Sequence, residues 1–150
     1  MFWGLYGMST LKTNTLTGTS TAGSIAVTGE GNSTTTNLQQ GLDKMWVFFD
    51  GTQSSSHIQD SFNTSGFTDN TNGDYTIAIA NDMGNTNYAY NLTVAQFRQS
   101  TPSTNFRGHG YPTVTASTIR INTVYIDATD GTAAIIDTGD VNMSIKGDLA

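Results

Sequence analysis

Apolar and polar residues alternate one by one in several segments of the chain after residue 44. A period of two is typical of β-strands, in which successive side chains point to opposite faces. The clearest segments are residues 75–80, 88–95, 118–122 and 141–146. Residues 45–49 instead form a near-continuous apolar run, which predicts a strand buried on both faces. We accordingly assign Trp46 and Phe49 to core or trimer packing rather than to a ligand site.

Polar turns separate the predicted strands. Residues 69–74 are predicted to form one tight turn, in which Asn72–Gly73 supplies the positive φ that hairpins need. Many short strands with polar turns predict an all-β fold, an antiparallel β-sandwich that is jelly-roll-like or a small barrel. One short helix is predicted at residues 37–44, where Leu38 and Leu42 lie four residues apart on one face and Gly41 limits the helix to two turns.

The N-terminal region differs from the rest of the chain in composition. Residues 8–37 are rich in Thr, Ser, Gly and Asn and contain few apolar residues. Residues 24–28 can form one short strand, and the remainder is expected to be extended and to become ordered against a partner. We therefore predict an extended polar attachment arm at residues 1–37 and a compact β domain at residues 38–150.

Composition and charge exclude several classes of partner. The chain has 150 residues, a net charge of −6 and no cysteine. Nucleic acids and anionic membrane surfaces require basic patches, so we expect neither as a partner. Hydrophobic residues make up only 36% of the chain, below the usual share, whereas aromatic residues make up 10% and argue against disorder. A small core without disulfides favours a homo-oligomer, because association buries additional area.

No catalytic or cofactor motif is found in the sequence. A phosphate-binding loop, a dinucleotide fingerprint and a Gly-x-Ser-x-Gly elbow are all missing, so we predict no catalytic residue, no cofactor and no metal. His57 and His109 do not stand at a metal-ligand spacing to another strong ligand. Four late aspartates could hold calcium but lack the EF-hand spacing, and a role in turns is favoured: Asp127, Asp130, Asp137 and Asp140.

Residues 98–113 form the longest stretch without periodicity, and long irregular loops are often functional. This stretch contains Phe106, Arg107, His109 and Tyr111. Aromatic rings stack on sugars or peptides, and arginine binds carboxylates or phosphates. We predict that these four residues form an outward receptor-binding tip. The alternative is that the aromatic side chains fold back onto the domain, and both interpretations stay open at this point.

Five segments occur in a specific order and spacing, at residues 41–52, 60–63, 67–77, 83–89 and 141–148. Together they resemble the tail-fibre and appendage proteins of tailed bacteriophages, especially marine ones, and the resemblance covers roughly residues 8–148. The positions that carry it look like turn and core positions: Trp46, Asp50, Gly51, Asp60, Phe62, Asn63, Asp69, Gly73, Asp74, Tyr75 and Gly147. Phe48 departs from the pattern, where a small polar residue is expected, and so do residues 95–113.

The resemblance implies a structural virion protein rather than an enzyme. Proteins of this kind are commonly trimeric and lie on the surface of the phage particle, as part of a tail fibre or another appendage. The arm would bind other virion proteins, and a host surface glycan is an expected contact of the β domain. Three other interpretations stay open: a capsid decoration or head-fibre protein, a carbohydrate-binding β-sandwich module, and a small depolymerase.

Overall fold

The computed structural model describes residues 10–20, 25–29, 31–55, 57–95, 106–110 and 112–150. The chain forms two compact units, residues 1–39 and residues 40–150. The elements in chain order are β1 (Ala26–Thr28), β2 (Thr35–Asn37), α1 (Leu38–Gly41), β3 (Met45–Phe49), β4 (Ile58–Phe62), β5 (Thr64–Thr71), β6 (Asp74–Ile79), β7 (Ala89–Ala95), β8 (Phe106–His109), β9 (Thr113–Val114), β10 (Thr118–Ile126), β11 (Ala133–Ile135) and β12 (Asp140–Lys146).

The first unit contains a two-stranded antiparallel sheet of β1 and β2. Asn32, at a φ of 54°, lies in the turn between the two strands, and its amide donates a hydrogen bond to the carbonyl of Gly29. None of the described residues between 10 and 39 is buried. The predicted short helix is confirmed as α1, although it is one turn long. No described helix has the length and apolar character needed to cross a membrane.

The second unit is an antiparallel β-sandwich, as the sequence predicts. One sheet has four strands in the order β4–β3–β12–β7. In the other sheet the order is β11–β10–β6–β5, and β8 and β9 also pair with β10. Every described pairing between neighbouring strands is antiparallel, which permits one face of each sheet to be buried and the other to face solvent.

The core lies between the two sheets and comes mainly from the two central strands of each. Alternate residues of β3, β6, β10 and β12 point inward, as the period of two requires. Burial of each such side chain stabilises the fold by about 1.5–3 kcal/mol. The buried hydrophobic residues are Met45, Val47, Phe49, Tyr75, Ile77, Ile79, Met83, Ile119, Ile121, Val141, Met143 and Ile145.

The burial of the side chains of β3 differs from the prediction. Its apolar run was expected to be buried on both faces, but only Met45, Val47 and Phe49 are buried. Trp46 and Phe48 point away from the core and remain partly exposed. The four-stranded sheet has a core on only one side in this unit, so an apolar run in its middle leaves two aromatic rings on the outer face. Phe49 lies in the core, one of the two roles predicted for it. Trp46 lies outside the core, and its alternative role in trimer packing stays a prediction.

Strand β5 pairs with β6 through an irregular register. The register shifts between Thr64 and Gly66 and again between Asp69 and Thr71, and each shift is a local irregularity of the β-bulge type. The turn predicted at residues 69–74 is shorter than expected and consists of Asn72 and Gly73, because β5 continues to Thr71 and β6 begins at Asp74. Gly73 has a φ of 65°. A Cβ at Gly73 would also lie 2.6 Å from the carbonyl oxygen of Ile136. The positive φ and the lack of room for a side chain therefore both require glycine here.

Candidate functional site

The predicted receptor-binding residues are placed on a strand rather than in an irregular loop. Phe106, Arg107 and His109 belong to β8, which pairs antiparallel with residues 123–126 of β10. Tyr111 lies outside the described residues. The sequence does not predict this strand, because its apolar and polar residues do not alternate. The strand forms through main-chain hydrogen bonds to β10. Side chains of neighbouring residues in a strand point to opposite faces, so Phe106 and Arg107 cannot serve one contact surface together.

Phe106 is part of an exposed apolar surface, which we name the Phe106 patch. It comprises Phe106, Val124, Ile126 and Ile135, which share one face because Phe106 pairs with Ile126 and Val124 pairs with Ile135. Phe106 is 65% exposed, Ile135 49% and Ile126 39%. Single exposed apolar residues are ordinary, and it is the contiguity of these four that makes the Phe106 patch a candidate contact surface.

Arg107 contributes to packing on the opposite face of β8. Its guanidinium carbon lies 4.9 Å from the centre of the Tyr125 ring, a cation–π arrangement. The Tyr125 hydroxyl donates a hydrogen bond of 2.8 Å to Asp127 Oδ2, and that bond raises the pKa of Tyr125. Nε and Nη1 of Arg107 are buried without a hydrogen-bond partner among the described residues. The alternative of a packing role therefore fits Arg107 better than it fits Phe106.

A second candidate surface lies on the outer face of the four-stranded sheet. The register aligns Phe62, Trp46, Ser144 and Asn91 in one row across the strands. In the next row it aligns Asp60, Phe48, Asn142 and Thr93. Large aromatic rings on β3 and β4 thus stand beside small polar side chains on β12 and β7, which leaves a depression.

We name this depression the Trp46 groove. It has a volume of about 240 Å³ and is open to solvent. No charged residue lines it, and the lining residues are Trp46, Val47, Asn91, Thr93, Asn142, Met143 and Ser144. The side chains of Asn91, Thr93, Asn142 and Ser144 make no hydrogen bond to another described residue. The sequence analysis missed this site, because the groove depends on the pairing of three strands that are distant in the sequence.

Three of the four late aspartates lie between strands, as a role in turns predicts, whereas Asp140 is the first residue of β12. Asp127 Oδ1 accepts a hydrogen bond from the amide of Thr129, and Asp130 Oδ1 accepts one from the amide of Thr132. These bonds lower the pKa of both carboxyl groups. Within the ranges that the structure describes, no group of three or more His, Asp or Glu side chains could hold a metal ion.

Asp137 organises a buried polar cluster between the two sheets. Its Oδ1 accepts hydrogen bonds from the amide of Gly73 at 2.6 Å and from the Tyr75 hydroxyl at 2.7 Å. Burial, followed by the bond to Asp137, raises the pKa of Tyr75 well above its ordinary value. The Tyr75 ring fits there because Gly51 has no side chain: a Cβ at that position would lie 2.2 Å from the Tyr75 hydroxyl oxygen.

The carboxylates of Asp50 and Asp74 also accept hydrogen bonds that stabilise the fold. Asp50 accepts bonds from the amide and hydroxyl of Thr52 and from the side-chain amide of Gln53. Burial opposes ionisation of Asp50, but these bonds outweigh it and lower the pKa. Asp74 forms a two-pronged ion pair with Arg120 across the paired strands β6 and β10. Hydrogen bonds from Arg120 lower the pKa of Asp74 against the effect of burial.

His57 also has a structural environment. Its ring stacks on Phe67, with 4.9 Å between the ring centres, and its Nε2 lies 3.8 Å from the carboxylate of Asp69. The His109 ring lies beside the next residue of the chain, with 3.2 Å between its Nδ1 and the carbonyl oxygen of Gly110. A nucleophile activated by a histidine needs both groups within hydrogen-bond reach, and no serine or threonine hydroxyl of the described residues is bonded to either ring.

Comparison with known proteins finds no match: no protein-family model, no curated protein and no solved structure is similar to this chain.

Proposed function

We propose that the protein is a non-enzymatic structural component of a bacteriophage particle, placed on a tail fibre or another appendage and contributing to recognition of the host surface. The support begins with the segments that resemble phage appendage proteins. Three of their positions, Gly51, Gly73 and Tyr75, meet in the buried polar cluster around Asp137. Residues that determine how the two sheets pack are those that chains of one fold would be expected to share.

The observation that best supports the proposal is the lack of buried side chains in the described part of the first unit. Its described residues between 10 and 39 include no buried side chain, and its sheet consists of two strands of three residues. A two-stranded sheet of this size is marginally stable alone in water. A partner that covers the unit would supply the missing burial, which is how an attachment arm on a virion gains its order.

The structural roles of three aspartates support a function without catalysis. Asp50, Asp74 and Asp137 each accept hydrogen bonds that hold turns or strands in place. A glycosidase needs two carboxyl groups facing one cleft, one of them free to donate a proton. The Trp46 groove has no charged lining residue, so this cleft offers contacts rather than acid–base chemistry.

We propose a homotrimer as the assembled form. The Phe106 patch leaves three large apolar side chains substantially exposed on one protomer. Contact between copies would remove this area from water, at about 25 cal/mol for each Å² buried. Light scattering coupled to size exclusion should report about three times the chain mass of 16.0 kDa. A stable monomer at micromolar concentration would contradict the trimer.

The experiment that tests the function is localisation on purified particles. Antibodies against residues 40–150, applied to density-gradient-purified phage and seen by immunogold electron microscopy, should label tail appendages. Label confined to the head would favour the alternative of a capsid decoration or head-fibre protein. Absence of the protein from the particles, checked by mass spectrometry, would overturn the virion assignment altogether.

A further inference from the structure

We propose that the Trp46 groove is a binding site for an uncharged sugar unit of a surface polysaccharide. The inference deepens the proposed function, and only the biological source of the sugar rests on that function. The site itself rests on the geometry of the outer sheet face. In this assignment the Trp46 indole is the stacking platform, and four neutral side chains supply the hydrogen bonds: Asn91, Thr93, Asn142 and Ser144.

The shape of the groove follows from the strand register. Trp46 pairs with Ser144, which pairs with Asn91, so an indole stands beside two much smaller side chains in one row. Phe48 stands in the same relation to Asn142 and Thr93 in the next row. The resulting step between β3 and β12 has a volume of about 240 Å³, just below the usual 300–1,000 Å³ of small-molecule sites. A single sugar ring with neighbours extending into solvent suits an open site of this size.

The side chains that line the Trp46 groove indicate which class of ligand it binds. A pyranose presents an apolar C–H face, which packs on an aromatic ring, and a rim of hydroxyl groups, which pair with amides and hydroxyls. The groove provides one indole and four neutral polar side chains that make no hydrogen bond to other described residues. Each Asn can donate and accept at once, as a sugar hydroxyl does.

Charge distinguishes the expected ligand from acidic sugars. The lining contains no cationic side chain to pair with a carboxylate, sulfate or phosphate. The whole chain carries a net charge of −6, and its field disfavours the approach of an anion. We therefore assign neutral hexoses and N-acetylhexosamines to the site and exclude uronic and sialic acids.

A second copy of the chain is the competing occupant. Protein interfaces between copies are enriched in apolar side chains at their centre, whereas Ser and charged residues are depleted there. Four of the seven lining residues are uncharged polar residues, which fits a hydroxyl-rich ligand better than the centre of a subunit interface. The Phe106 patch, on a different sheet, has the composition expected for contact between copies.

The test uses the full-length protein labelled with ¹⁵N and a panel of methyl glycosides. The neutral probes are those of glucose, galactose, mannose and N-acetylglucosamine, and the acidic probes are those of glucuronic and N-acetylneuraminic acid. At least one neutral probe should shift the Trp46 indole resonance and the side-chain amides of Asn91 and Asn142, with a dissociation constant of about 1–10 mM. The acidic probes should bind at least about tenfold more weakly.

Three variants locate the contact. Trp46→Ala should weaken binding at least about tenfold, Trp46→Phe should keep part of it, and Asn142→Ala should weaken it by about two- to tenfold. Thr68→Ala, on the exposed face of β5 in the other sheet, is the matched control and should leave binding unchanged. Urea unfolding of each variant separates loss of the site from loss of the fold, and Trp46→Phe keeps the test valid if Trp46→Ala unfolds.

Several outcomes would overturn the inference. One is the absence of shifts with every neutral probe at about 100 mM, roughly tenfold above the expected constant. Another is binding that Trp46→Phe, Trp46→Ala and Asn142→Ala leave unchanged. A third is a change in assembly mass on Trp46→Ala without any sugar binding, which would make the groove a subunit interface. Sugar binding by a protein absent from purified particles would support the groove and refute the virion assignment, so the two failures are distinguishable.

Discussion

Gly51 shows how one missing side chain determines the packing of the two sheets. It follows β3 of the four-stranded sheet, and its Cα faces the Tyr75 ring of β6 in the other sheet. The Gly51 amide also donates a hydrogen bond to the carbonyl of Thr138. Any larger residue has to displace either the tyrosine ring or the main chain of Thr138.

The first prediction concerns this contact. Gly51→Ala should lower the free energy of unfolding by about 1–3 kcal/mol, because a methyl group would be forced against the Tyr75 hydroxyl and ring. Urea unfolding followed by Trp46 fluorescence measures the change. Gly66→Ala is the control, because its added Cβ would meet Ala78 at an ordinary 3.6 Å. Equal stability of the two variants would show that the Tyr75 ring can move aside without cost.

The ion pair between Asp74 and Arg120 predicts how stability depends on pH. The folded-state pKa of Asp74 lies below its ordinary value of 3.8. The ionised carboxylate therefore stabilises the fold above that pH, and this contribution is lost as the pH falls through the lowered pKa. Asp74→Asn should reduce the urea midpoint at neutral pH, and the difference from wild type should shrink as the pH falls below 3.8 and through the lowered pKa of Asp74.

Asp82→Asn serves as the control for this pH series. Asp82 is exposed, and its carboxylate forms no ion pair within the described residues. Its replacement should leave the urea midpoint nearly unchanged at every pH. A difference between Asp74→Asn and wild type that stays constant from neutral to acidic pH would show that the aspartate acts by shape and hydrogen bonding rather than by charge.

At the scale of elements, the two faces of β8 are expected to respond differently to mutation. Arg107→Ala should lower the free energy of unfolding by about 1 kcal/mol, because the cation–π contact with Tyr125 and the buried stem of the arginine are lost. Phe106→Ala should change it by less than about 0.5 kcal/mol, because Phe106 is 65% exposed.

Adsorption of phage to host cells then separates recognition from packing. On the receptor hypothesis, Phe106→Ala should reduce adsorption while the melting temperature stays nearly constant. Normal adsorption by Phe106→Ala particles, together with a change in assembly mass, would assign the Phe106 patch to contact between copies. An Arg107→Ala variant whose free energy of unfolding equals that of the wild type would contradict the packing role given to the arginine.

Most of the strands that the sequence predicts border the core. Apolar residues occupy every second position in β6, β7, β12 and the first half of β10, because one face of each strand packs toward the core. Strand β5 was not predicted, because Phe67 is its only large apolar residue. Its strand conformation depends on hydrogen bonds to β6, which no local pattern encodes.

The candidate sites were less predictable than the fold. Phe106 was identified because exposed aromatic residues stand out in a polar segment, and the structure places it on the surface. Arg107 lies on the opposite face from Phe106 because β8 is a strand. The sequence of this segment has no period of two, so it does not predict the strand. The Trp46 groove requires the register of β3, β12 and β7, in which residues about fifty and a hundred positions apart become neighbours.

At the scale of the whole molecule, the two units have different sources of stability. All twelve residues of the hydrophobic core belong to residues 40–150, whereas the described part of residues 10–39 has no buried side chain. Removal of residues 1–39 should therefore leave the urea midpoint and the cooperativity of unfolding within error of the full chain.

Particle attachment is the second measurement for this truncation. The shortened protein, added to particles that lack it, should fail to bind, because the proposed arm has been removed. The full-length protein added in the same way is the control. Normal occupancy by the truncated protein would place the attachment surface within residues 40–150, and a loss of cooperative unfolding would show that the sandwich needs the first unit.

The irregular register of β5 has a consequence for crowded copies of the protein. Within the described chain, β5 is the outermost strand of its sheet, and a long flat strand there would offer unpaired amides and carbonyls to another molecule. Its two register shifts bend the backbone, and Asp69 puts a negative charge between them. Both features hinder the addition of a foreign strand. This edge of the sheet is therefore expected to be a poor template for cross-β aggregation, even where many copies stand side by side.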